Sequence, residues 1–115
     1  MTIVLLGEFT DLNTYIDVER GNRFAASRIK KEQTEAVQWQ VKLLLPVVKY
    51  PMDITFDWFS KDSRKDPDNI AFAKKFILDG LVTASIIKGD SQKYISGFRD
   101  RFFIDAERPR VEIHI

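Results

Sequence analysis

The sequence predicts one α/β (α+β) domain: a small mixed β-sheet with two main helices packed on it, in the order β-α-β-α-β-β. Three observations carry this prediction. Residues 52 to 59, MDITFDWF, alternate apolar and polar almost strictly, which is the period of a strand with one buried face. Ile70, Ala73, Ile77, Leu81 and Ala84 recur at three- and four-residue spacing and form one helical stripe. The chain closes with two further strand-like runs, from about Tyr94 to Ile104 and from Arg110 to Ile115. Strands interleaved with helices, followed by two strands together, give a layered α/β arrangement.

The 115 residues suit one domain, 1–115, with a modest core. At 44% hydrophobic and 30% charged, the chain reads as globular rather than disordered. The formal net charge of +1 carries no information about nucleic acid, so any DNA-binding field has to come from local clusters. The chain has no cysteine, which excludes disulfides, thiolate metal sites and cysteine nucleophiles and fits a reducing, cytoplasmic setting. No stretch approaches membrane-spanning length, so no membrane partner is expected.

TIVLLG, residues 2 to 7, reads as a buried first strand. Asp11 to Asn22 is polar and turn-like, with Asn13-Thr14 and Gly21-Asn22 as breakers. Asn22 then caps a long helix ending near Leu45, stopped by Pro46. Val37, Val41, Leu44, Leu45 and Val48 supply its apolar stripe, with Val48 past the stop. Arg20 to Lys31 is the most basic segment, holding Arg20, Arg23, Arg28, Lys30 and Lys31 without an acid. It is either a phosphate-binding surface or an ordinary solvated helix face.

In the second strand, Met52, Ile54, Phe56 and Trp58 face the core, and Asp53 and Asp57 are expected at solvated positions. A basic loop with Lys61, Arg64 and Lys65 follows. It can lower the pKa of nearby carboxylates and hold a phosphodiester, or simply be solvated. Asp66-Pro67-Asp68-Asn69 then opens the second helix. Pro67 biases Asp66 toward an extended conformation, in which alternate side chains share a side. Asp66 and Asp68 can therefore aim two carboxylates at one hard cation. The same residues also make a good helix N-terminus, and the two roles are compatible.

Along that helix Lys75 lies within about 20° of Asp68 around the axis, with Asp79 on the same line and Lys74 nearer the apolar stripe. Gly89-Asp90 is a turn, and the last two strands read as an antiparallel hairpin. The single histidine, His114, stands isolated near the end of the sequence, which removes histidine nucleases and Ser-His-Asp hydrolases from consideration.

Asp66-Pro67-Asp68-Asn69, then Lys75, then Asp79-Gly80-Leu81, then Asp90 resembles the RusA family of Holliday-junction resolvases, many of them carried by bacteriophages. The resemblance continues through LNTYIDVERGNRFAASRIKKE upstream and ISGFRDRFF and PRVEIHI downstream. One departure is Gly89, which stands where the family often has a second acidic or amide residue.

The resemblance implies a metal-dependent endodeoxyribonuclease that resolves four-way DNA junctions in recombination and repair. It implies Asp66, Asp68 and Asp90 as ligands of Mg²⁺, with Mn²⁺ as a substitute, and a catalytic lysine. That lysine stands further from the Asp pair here than in the shorter family members, and the helical spacing selects Lys75 over Lys74. It also implies a DNA-contacting role for Arg20, Arg23, Arg28, Lys30 and Lys31, a homodimer, and a phage or prophage protein in the bacterial cytoplasm. An all-oxygen ligand set suits Mg²⁺ over Zn²⁺. A non-cleaving junction-binding module and a flap or branched-DNA nuclease are the alternatives.

Overall fold

Residues 1–115 are described by a computed structural model. Strand β1 (Thr2–Leu6) is followed by helices α1 (Leu12–Gly21) and α2 (Arg23–Val41) and by strand β2 (Met52–Ser60). Helices α3 (Pro67–Ala71) and α4 (Lys74–Thr83) and strands β3 (Ile95–Ile104) and β4 (Arg110–His114) complete the chain. This is the α+β class expected, with a mixed four-stranded sheet in the order β1-β4-β2-β3.

β2 sits inside the sheet because it can pair on both sides. It runs parallel to β3 and antiparallel to β4, and β4 in turn runs antiparallel to β1. The predicted β3–β4 hairpin is therefore not formed. Parallel neighbours need a crossover connection, and α3 with α4 provides it between β2 and β3.

The alternation of β2 decides where the core lies. Met52, Ile54, Phe56 and Trp58 are buried, joined by Ile3 and Leu5 of β1 and Val111 and Ile113 of β4. Val37 and Val41 of α2 and Phe76, Ile77 and Leu81 of α4 fill the opposite side of this core. The two helices approach closely at Gly80: a Cβ there would stand 2.5 Å from the Val37 Cβ. The other face of the sheet has no helix over it.

Three expected boundaries differ. Asp11–Asn22 is helix rather than turn, because Asp11 caps α1 by accepting a hydrogen bond from the Thr14 amide. Its half-buried Leu12, Tyr15, Ile16 and Val18 supply the inward side. Asn22 does cap α2, accepting from the Phe24 and Ala25 amides, but the helix ends at Val41. Leu43, Leu45 and Val47 lie beyond it, exposed. The helix expected to run on from Asp68 is broken at Phe72–Ala73, giving α3 and α4. No helix is long and apolar enough to cross a membrane.

Candidate functional site

Asp66 is the N-cap of α3, extended at φ −73° and ψ 152°, with Pro67 beginning the helix behind it. Its side chain makes no capping hydrogen bond. Asp68 lies in the first turn, and its carboxylate accepts from the Asn69 amide at 3.0 Å. Both carboxylates are exposed, and neither forms an ion pair.

The ground beneath them is fixed by polar contacts. Asn69 Oδ1 accepts from the Asn13 amide at 2.8 Å, docking the start of α1 on α3. Lys65 pairs with the buried Asp11 at 2.9 Å. Burial pushes the Asp11 carboxyl up, but hydrogen bonds from Thr14 and Lys65 outweigh it and hold the group below the usual carboxylate range. Tyr15, Phe72 and Phe76 meet in tilted and edge-to-face contacts, 5.3–5.8 Å between ring centroids, and close the seam between α1 and the broken helix.

The break at Phe72–Ala73 makes Lys74 and Lys75 the first two residues of α4 and sends them to different places. Lys74 is half-buried. Its ammonium donates to Asp100 Oδ2 at 2.7 Å and lies 4.5 Å from the Phe98 ring centroid. Asp100 Oδ1 accepts from Trp58 Nε1 at 2.9 Å. Lys75 is exposed and lies 3.0 Å from Asp79 and 3.5 Å from Asp90. The hydrogen bond to Asp79 raises the Lys75 pKa, against a smaller opposing effect of burial, and Asp90 adds to the rise.

As donors for a hard divalent ion, Asp66 and Asp68 have the right chemistry: carboxylate oxygens that carry no cation. Asp90 offers a third carboxylate, shared with Lys75. These three do not close into a cluster. The one set of three potential ligands whose atoms all lie within 4.8 Å of one another is Asp57, Glu112 and His114.

That set is on the helix-free face of the sheet, where the register puts Asp57 opposite Glu112 on β4 and Arg101 on β3. Asp57 is buried rather than solvated. Arg101 grips it with two bonds of 2.6 and 2.7 Å, and His114 Nε2 lies 3.0 Å away. The bonds from Arg101 hold the Asp57 carboxyl below its ordinary range although burial opposes them. His114 is thus not isolated, and its other ring nitrogen meets Thr2 Oγ1 at 3.1 Å. These residues could hold a metal ion, but one arriving there competes with the Arg101 guanidinium for Asp57. Sequence reasoning missed this cluster because only the β2–β4 register brings Asp57 and His114 together.

Arg20 closes α1, and Arg23, Arg28, Lys30 and Lys31 lie on the first half of α2, all exposed. Lys31 is within 4.0 Å of Glu35. In the loop after β2, Lys61 and Arg64 are exposed, with Arg64 3.7 Å from Asp62, while the charge of Lys65 is taken up by Asp11. No known protein-family model matches the chain, and no curated protein is significantly similar to it.

Proposed function

We propose that this protein is a metal-dependent endodeoxyribonuclease of the RusA type that cuts four-way DNA junctions. The contact that carries the reading is between Lys75 and Asp90, 3.5 Å apart although fifteen positions separate them in sequence. It draws the loop before β3 to the helix that follows Asp66 and Asp68. Asp90 and Lys75, from two separate segments, thereby stand together, and the proposed site requires Asp66 and Asp68 to join them around the ion.

Asp66, Asp68 and Asp90 would hold Mg²⁺ or Mn²⁺. Such an ion supplies a bound water of lowered pKa and neutralises charge on a phosphodiester. Asp66 and Asp68 are exposed and carry no cation, so both carboxylates would be free to bind it. The hydrogen bond from Lys75 to Asp79 raises the lysine pKa above its ordinary value, which suits Lys75 to a charge-stabilising role rather than to that of a general base. Its part is to present a fixed positive charge to the phosphate as negative charge develops. Lys74, tied to Asp100, holds α4 against the β2–β3 edge. The exposed cations of α1 and α2 supply sequence-independent phosphate contacts. The site residues form one set per chain, so a symmetric homodimer would bring two sets to the two strands of a junction.

The test is incubation with a mobile four-way junction, a flap and a linear duplex, each with and without Mg²⁺. Paired symmetric nicks on the junction, dependent on the ion, are the expected result. Cleavage of the flap alone would change the substrate, and junction binding without cleavage would leave a binding module.

A further inference from the structure

We propose that β3 is the pairing edge of a symmetric homodimer, in which two copies of Ile95–Ile104 run antiparallel about Asp100 and join two sheets into one. The inference stands on the strand itself and is independent of the nuclease reading.

β3 ends the sheet, with β2 as its only neighbour. Its outer row of backbone donors and acceptors therefore has no strand beside it. Proteins blunt such edges by keeping them short, by placing lysine or proline on them, or by bulging them away. The opposite edge, β1, has five residues. β3 has ten, with no lysine and no proline, and the one register shift in its pairing lies at the Met52/Asp53 end. It also exposes large apolar side chains on both faces: Phe98 is 46% exposed, Phe102 38%, Phe103 42% and Ile104 61%. A long aromatic edge whose central Asp100 and Arg101 are tied to Lys74 and Asp57 within the same chain is a template for another strand.

The sequence of the strand says which strand. Phe98-Arg99-Asp100-Arg101-Phe102 reads the same in both directions. Antiparallel neighbours related by a two-fold axis normal to the sheet keep their faces, so like-facing residues oppose each other around the centre. With Asp100 at the axis, Phe98 of each copy opposes Phe102 of the other, giving two cross-strand aromatic pairs. Sliding the register by two residues in either direction sets a phenylalanine against Asp100 instead. Of the like charges that meet near the axis, Asp100 and Arg101 are already compensated within each copy, and only Arg99 brings an unpaired charge opposite Arg101. Asp100 carries Lys74 at 2.7 Å, and Arg101 carries Asp57 at 2.6 Å.

Native cysteine is absent, so introduced cysteines report the register cleanly. Directly opposed residues in an antiparallel pair have Cα atoms about 4.5–5.5 Å apart, within disulfide reach. Arg99→Cys and Arg101→Cys proteins mixed in equal amounts and oxidised should cross-link to a dimer, whereas each protein alone should cross-link far less. In sedimentation, wild type should be a dimer. Phe98→Lys and Phe102→Lys should each raise the dissociation constant by about tenfold or more, because two symmetry-related pairs are lost together. Circular dichroism checks that each variant is folded, and the wild-type sedimentation does not depend on any variant. A wild-type monomer at every concentration, a dimer unmoved by both lysine substitutions, or equal cross-linking in the unmixed proteins would each overturn the proposal.

Discussion

Lys74 and Lys75 are adjacent in sequence and serve different parts of the molecule. On the proposed mechanism, Lys75→Ala should lower the single-turnover cleavage rate by roughly 10²-fold or more while leaving junction binding almost unchanged. Lys74→Ala instead strands the half-buried Asp100 carboxylate, so it should cost about 1–3 kcal/mol of stability, measured by denaturant unfolding. Asp68→Asn removes one ligand charge and no phosphate contact. Cleavage should disappear and junction affinity persist, read from nicking and gel-shift titrations on the same preparation. Asp57 allows a pH test. Arg101 depresses its carboxyl pKa, so the pairing contributes stability above the unfolded value of about 3.9 and loses it as pH falls through the lower folded value. Asp57→Asn should therefore cost about 1–2 kcal/mol at neutral pH, discounted because Arg101 stands partly in solvent, and the two unfolding curves should converge in acid. That Lys74 falls beside the apolar stripe was legible from helical spacing, but the alignment of Lys75 with Asp68 assumed one continuous helix, and the helix breaks at Phe72–Ala73 between them. The burial of Asp57 was not legible, because strand alternation gives a face but not the neighbour lying on it.

At the level of elements, α2 and α4 touch through a glycine. Alanine normally favours a helix over glycine by about 1 kcal/mol. At position 80 the added methyl would meet the Val37 side chain at 2.5 Å and the Thr34 carbonyl oxygen at 3.0 Å. Gly80→Ala should thus destabilise by about 1–3 kcal/mol, and thermal unfolding gives the sign directly. The sequence showed the second strand and the Asn22 cap plainly, because alternation and a side-chain cap are local signals. It hid α1, whose Asn13, Thr14 and Asp17 also suit turns. It also hid the break in the second helix, since the apolar stripe runs across Phe72–Ala73 without interruption. The hairpin expectation failed for a non-local reason. Strands adjacent in sequence usually pair, but here β2 takes both β3 and β4 as neighbours and separates them.

For the whole molecule, a net charge of +1 makes DNA affinity a matter of distribution. Replacing Arg20, Arg23 and Lys30 together by alanine should weaken binding to any DNA and reduce the slope of log affinity against log salt by roughly one unit per lost phosphate contact. An unchanged slope would make these residues a solvated face only. The fold class was legible because it follows from the order of periodic segments. The candidate site was legible as a motif, Asp66 to Asp90, but its partners were not. The Lys75–Asp90 contact, the docking of Asn69 on α1 and the pairing of Lys65 with Asp11 all depend on how separate segments meet.

Trp58 lies buried in the sheet, stacked 5.5 Å from Phe56, with its indole N–H held by Asp100. Trp39 lies exposed on α2, its ring 3.5 Å from the Lys42 ammonium. The protein therefore carries two tryptophan fluorophores in unlike surroundings. A water-borne quencher should extinguish the red-shifted emission of Trp39 and spare the blue-shifted emission of Trp58. What remains of the signal under quencher reports on the indole bound to Asp100, and so follows events along β3 without any label.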